Sequence, residues 1–140
     1  MAGLLASGYG CTDSDPVYSC DGLLKDKPLA NIQTCVRANW QLHYKKGGIT
    51  GNLKQAFTDT YLDIRQNDSV YFTYEGTLVA KSVITWKNIT DVQGSKTFIM
   101  TFSDNSGYPY SWGVWGIEND TLTMYDNAND GFGYALTKLK

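Results

Sequence analysis

Histidine is almost missing from this chain. His43 is the only one, beside three cysteines and three prolines in 140 residues. A catalytic imidazole needs a nucleophile and an orienting acid within hydrogen-bond reach. No Gly-x-Ser-x-Gly elbow is present to supply the nucleophile. Two cysteines and one distant histidine do not make a zinc site, since the finger-type spacings are absent. Charge is also scarce in any one sign: 12 basic and 14 acidic residues leave a net −2. With no basic stripe, nucleic acid is not the expected partner. No apolar run reaches the roughly 20 residues of a bilayer-spanning helix. Long helical patterns are missing too, which disfavours a bundle or a coiled coil.

What the chain does have is aromatic residues: ten Tyr, five Phe and four Trp, with 14 Gly to turn between strands. Such a composition favours β structure. Its length suits one domain, which can bury roughly two-thirds of the surface its unfolded form exposes.

The first ten residues are a short apolar patch, Ala2 to Ala6, followed by small residues and Cys11. They resemble the tail of a bacterial lipoprotein signal, with Gly10 in the small position before the cysteine and Leu5 as the nearest leucine. On this reading residues 1–10 are a signal remnant, 11–27 a lipid-anchored tether and 28–140 the folded domain; the alternative is a flexible tail with an incidental Cys11. Cys11 is then the lipidation site, and the protein is exported and attached to the cell envelope by that lipid alone. Cys20 and Cys35 remain as a pair that an oxidising compartment lets bond. The alternative is that Cys35 is an ordinary buried thiol on a helix face. Spacing does not choose between them.

Pro28 suits a helix start. Leu29, Ile32, Cys35 and Val36 follow at helical spacing, predicting a short helix to about Arg37. Period-two alternation then takes over. Trp40, Leu42 and Tyr44 predict a strand, with an extension of the helix through Trp40 as the rival. Leu53, Ala56 and Phe57 allow one or two helical turns. Strands are predicted over 61–66, 70–74, 78–86, 97–103, 110–117, 121–125 and 133–139, separated by Asn, Asp and Gly turns. The expected fold is therefore mostly β: an antiparallel meander of about eight strands closing into a barrel, with a short N-terminal helix.

Trp40 early in the domain, Leu122-Thr-Met-Tyr-Asp126, Asp130-Gly-Phe132 and the closing Leu136-Thr-Lys-Leu-Lys140 are similar to the lipocalin-like lipoproteins of Bacteroidetes. Val17-Tyr-Ser-Cys-Asp21 after a lipobox-like cysteine resembles leaders of that group. Ala38 stands where the general lipocalin signature has Gly. The resemblance implies an exported, lipid-anchored, lipocalin-like barrel and names no ligand.

Several motifs carry no function on this reading. Asp126-Asn-Ala-Asn-Asp130-Gly131 half resembles a calcium loop, but Ala128 fills a position that needs an oxygen ligand and Thr137 stands where the bidentate Glu belongs. We expect a hairpin turn there and no metal. Asp59 with Asp63, and Glu118 with Asp120, are expected as solvated turn carboxylates rather than a hydrolase pair. Asn67, Asn88 and Asn119 begin glycosylation sequons, and Asp68-Ser-Val70 and Asp120-Thr-Leu122 resemble a bacterial O-glycosylation pattern. These sit where turns are expected anyway.

One segment stands above this background. Tyr108-Pro-Tyr110-Ser-Trp112-Gly-Val-Trp115 places Tyr110 and Trp112 on one strand face and Trp115 on the other. Trp40, Phe98 with Phe102, Trp112 and Tyr134 come from four well-separated strands and are expected to line a barrel interior. The expectation is a binding module, not an enzyme, with no cofactor, holding a small apolar or amphipathic ligand. Its rival is a filled barrel using exposed Tyr108, Tyr110 and Trp115 to meet a glycan or a protein. A cavity of at least roughly 300 Å³ would mark the first reading.

Overall fold

The computed structural model describes residues 19–48, 51–90, 94–126 and 131–139. Cys11, the signal-like segment and most of the 126–131 turn lie outside the described residues. Alternation builds nearly everything else. In β10 (Thr121–Tyr125), Leu122 and Met124 are buried while Thr123 is exposed. Ten further strands are β1 (Gly22–Leu23), β2 (Asn39–Gly47), β3 (Leu53–Ala56), β4 (Tyr61–Ile64), β5 (Ser69–Tyr74), β6 (Thr77–Val83), β7 (Thr85–Thr90), β8 (Lys96–Ser103), β9 (Pro109–Glu118) and β11 (Phe132–Lys138). Among the described residues there are also a helix, α1 (Leu29–Val36), and a 3-10 turn at Gln66–Asp68.

All strand pairings are antiparallel, in the order β6-β5-β4-β2-β11-β10-β9-β8-β7. β3 continues the line of β4 along β2, and β1 continues the line of β8 along β9. Two-residue turns at Glu75-Gly76 and Asn119-Asp120 join their strands. All four residues have positive φ, as the tight hairpin turns that match strand twist require.

The sheet curls into a half-barrel rather than the expected closed eight-stranded barrel. The predicted single strand over 78–86 is two. Ile84 is buried at a corner between β6 and β7, and its N–H donates to the Asp68 carbonyl at 2.8 Å. The two strands therefore stand at opposite ends of the sheet order, although one residue separates them. No ladder joins these ends among the described residues; a backbone bond from Asn105 N–H to the Val79 carbonyl (2.8 Å) crosses the gap. Residues 53–56, expected to be helical, pair instead with Tyr44–Gly47 of β2.

α1 closes one end. It begins after Pro28 and buries Ile32, Cys35 and Val36 against the sheet's interior. Trp40, at the start of β2, lies just inside it and is 1% exposed, with its indole N–H donating to the Val36 carbonyl at 2.8 Å. Leu42, Leu62, Phe72, Met100, Phe102, Trp112, Val114, Met124 and Leu136 fill the space above.

The supposed tether is part of the domain at its C-terminal end. Gly22 and Leu23 pair with Ile117 and Gly116, Leu24 is buried, and the Leu24 and Lys25 N–H groups both donate to the Trp115 carbonyl. Gly116 makes this possible: a Cβ there would come within 2.5 Å of the Gly22 carbonyl oxygen. Gly113 likewise lies beneath the Tyr125 ring. Neither glycine leaves a slot beside the rings. Cys20 and Cys35 are joined by a disulfide that ties this segment to α1. The bond closes a loop of 15 residues' separation. Replacing both cysteines by Ser is expected to cost about 3 kcal/mol. A chemical denaturation midpoint unchanged by the double substitution would contradict that.

Candidate functional site: an aromatic cleft at the open end

Opposite α1 the half-barrel is open, and aromatic side chains from four parts of the chain meet there. β9 supplies Tyr110 and Trp112, with Tyr108 just before it. β11 supplies Phe132 and Tyr134, and β5 supplies Phe72 and Tyr74. Phe57 comes from the link between β3 and β4. With Leu42, Lys45, Gln55, Ser111 and Asp126 they line a cleft of about 550 Å³.

The floor is closed. Phe72 is 3% and Trp112 6% exposed, and Phe102 stacks under Tyr110 with centroids 5.2 Å apart. Phe72 meets Tyr110 edge to face at 5.1 Å, and Trp112 meets Tyr134 at 5.3 Å. The rim is wet: Tyr108 is 60% and Tyr74 38% exposed.

Each wall is held by local hydrogen bonds. On one side Phe57 packs edge to face on Tyr74 at 6.1 Å. Phe57 N–H donates to the His43 carbonyl, and Gly76 N–H to the Asp59 carbonyl. Thr60, fully buried, donates to the Thr58 carbonyl at 2.9 Å and accepts the Glu75 N–H at 3.1 Å. This one hydroxyl therefore fixes the turn carrying Phe57 to the turn following Tyr74. On the other side Asp104 Oδ1 accepts from the Ser106 hydroxyl and from the N–H groups of Ser106 and Tyr108 at 2.8–2.9 Å. These bonds, the Ser106 hydroxyl foremost, hold the Asp104 carboxyl below its usual range and set the turn that presents Tyr108.

Asp126 Oδ2 accepts the Phe132 N–H at 3.2 Å and the Tyr134 hydroxyl at 3.3 Å. Burial, and then the Asp126 charge, push the Tyr134 phenol far above its ordinary value. Tyr110 moves the same way, chiefly through burial. Both phenols thus stay protonated, as hydrogen-bond donors, at neutral pH. The Lys45 ammonium lies 4.4 Å from the Phe132 ring centroid.

Of the five residues expected to line a cavity, Trp112 and Tyr134 do so, and Phe102 lies directly beneath. Trp40 and Phe98 are at the other end. Phe98 sits four residues before Phe102, about 13 Å along the strand. It borders a separate shallow hollow with Lys25, Lys27 and Lys96. Tyr108 and Tyr110 belong to the cleft, but Trp115 does not. It packs on Tyr125 at 6.0 Å on the outer face, with the Lys25 ammonium 4.8 Å from its ring. Phe57, Phe72, Tyr74, Phe132, Lys45 and Asp126 were not expected here. The alternation of Val70, Phe72 and Tyr74 was the available signal for β5.

His43 Nε2 is 2.6 Å from Thr137 Oγ1, and His43 is not among the residues that line the cleft. Asp63 pairs with Arg65 at 2.8 Å. Among the described residues no group of three or more His, Cys, Asp or Glu side chains is placed to hold a metal ion. No family model, curated protein or solved structure matches the chain.

Thr60→Val keeps the shape of the buried side chain but leaves the Glu75 N–H without its partner. We expect a loss of about 1–3 kcal/mol in urea unfolding. A midpoint within error of the parent would show that the wall is held by other means.

Proposed function

We propose that this protein is a binding module that holds a small amphipathic ligand in the aromatic cleft at the mouth of its half-barrel. The observation that carries this reading is the convergence of rings from β5, β9, β11 and the β3–β4 link on one open space above a filled core. Packing alone would bury such rings, yet Tyr108 and Tyr74 remain exposed at the rim. The cleft's volume falls in the range of small-ligand sites, roughly 300–1,000 Å³. Its groups suit recognition: rings offer apolar faces, while Gln55, Ser111, Asp126, Lys45 and the tyrosine hydroxyls offer polar contacts. The ligand sits at the mouth rather than deep inside.

The same proposal takes the protein as an exported, lipocalin-like lipoprotein anchored through Cys11. Two features support it. The Cys20–Cys35 disulfide suits an oxidising compartment and leaves Cys11 as the remaining cysteine. The curled antiparallel sheet with a helix at one end agrees with the resemblance noted in the sequence.

Tryptophan fluorescence titrated with fatty acids, bile-type steroids and oligosaccharides tests the cleft. At least one is expected to shift the emission, and Tyr74→Ala and Tyr108→Ala should each weaken that ligand about three- to tenfold. Trp115→Ala, on the far face, should leave the affinity unchanged. Silence across all three ligand classes would remove the reading. For the anchor, the protein isolated from its native cells should carry acyl mass on the peptide holding Cys11; an unmodified thiol there would refute the lipid.

A further inference from the structure

The cleft's shape and charge narrow what it can hold. An alkyl chain or a sterol gains affinity by sinking most of its surface into an apolar pocket, roughly 70–90% for a typical small ligand. Here Phe72, Trp112 and Phe102 close the floor within one layer of side chains, and the tyrosine rim leaves any occupant half in water. A ligand that stays half wet must itself be polar on one side.

Charge narrows it further. Asp126 and Lys45 both line the cleft, one carboxylate and one ammonium. A ligand carrying a net charge would be attracted by one and repelled by the other, so a neutral ligand rich in hydroxyls fits both. Asp126 is also oriented in advance. Its two bonds, from Tyr134 and from the Phe132 N–H, both end on Oδ2, and Oδ1 takes part in neither. A carboxylate held this way is a ready acceptor for a hydroxyl, and a charge-assisted bond is stronger than a neutral one.

We infer that the occupant is a neutral sugar ring of a glycan, its C–H face laid on the exposed Tyr108 ring at the rim and its hydroxyls held by Asp126. The inference rests on the reading of the cleft as a ligand site and adds the ligand's class. Openness at the rim lets neighbouring sugars of a chain leave the cleft, so an internal residue of an oligosaccharide can bind.

The test is calorimetric titration of the full chain with neutral malto-, cello-, xylo- and chito-oligosaccharides, and in parallel with palmitate and deoxycholate. At least one oligosaccharide is expected to bind. Asp126→Asn should weaken it about tenfold or more, as loss of a bond to a charged group does. Tyr108→Ala, at an exposed position that leaves the core intact, should weaken it about three- to tenfold. Glycan binding that survives both substitutions, or is lost with Trp115→Ala instead, overturns the placement. Binding of palmitate or deoxycholate with no oligosaccharide overturns the sugar and leaves the amphipathic module standing. If no probe of either class binds, both readings fall.

Discussion

Close packing of large side chains inside the curl of the sheet is the constraint from which the rest follows. Trp40, Met100, Leu122, Met124 and Leu136 each lie at or near zero exposure. Interiors packed this way leave few voids larger than a water molecule. An aromatic-rich barrel could have been hollow. Here α1 and Trp40 stop one end, and the next layers stack on them until the rings of Phe72, Phe102 and Trp112 are reached. Open space inside the curl is found only above that layer among the described residues. The cleft is therefore what remains once the core is complete.

The half-barrel shape has its own cause. β6 and β7 are successive in the chain yet terminal in the sheet, because the chain turns a corner at Ile84 and leaves in a new direction. Tethering through a buried corner brings the two edges near each other without a ladder between them. Edges left unpaired invite association with other chains. β7 exposes Thr85, Lys87 and Asn88, and β6 exposes Lys81, so part of each edge is polar. Exposed Leu78 and Val83 on β6 are the less protected part.

Local chemistry was readable in the sequence wherever it was decisive. Pro28 marked the helix start, Glu75-Gly76 and Asn119-Asp120 marked hairpins, and 121–125 alternated as the strand does. The strands' number and the barrel's closure were less readable. Leu78, Ala80, Ile84 and Trp86 alternate without a Gly or Pro to mark the corner, which is set by a distant partner, the Asp68 carbonyl. The site was half readable for a related reason. Facing inward is a period-two property, but height along the barrel depends on register between strands. Trp40 and Trp112 both face inward, yet one lies beside the helix and the other beneath the mouth. The close contact at Gly116 was not readable either, because the backbone that fills its space comes from residues 22–23, almost a hundred positions away.

That same strand pairing fixes a direction. β1 joins β9 at Ile117, whereas the cleft is built around the strand's other terminus at Pro109, eight residues or about 26 Å away. The incoming polypeptide, fastened at Cys20 and Gly22, thus meets the domain near its helix-capped base. The aromatic opening faces away from that fastening, as the mouth of a cup faces away from its foot.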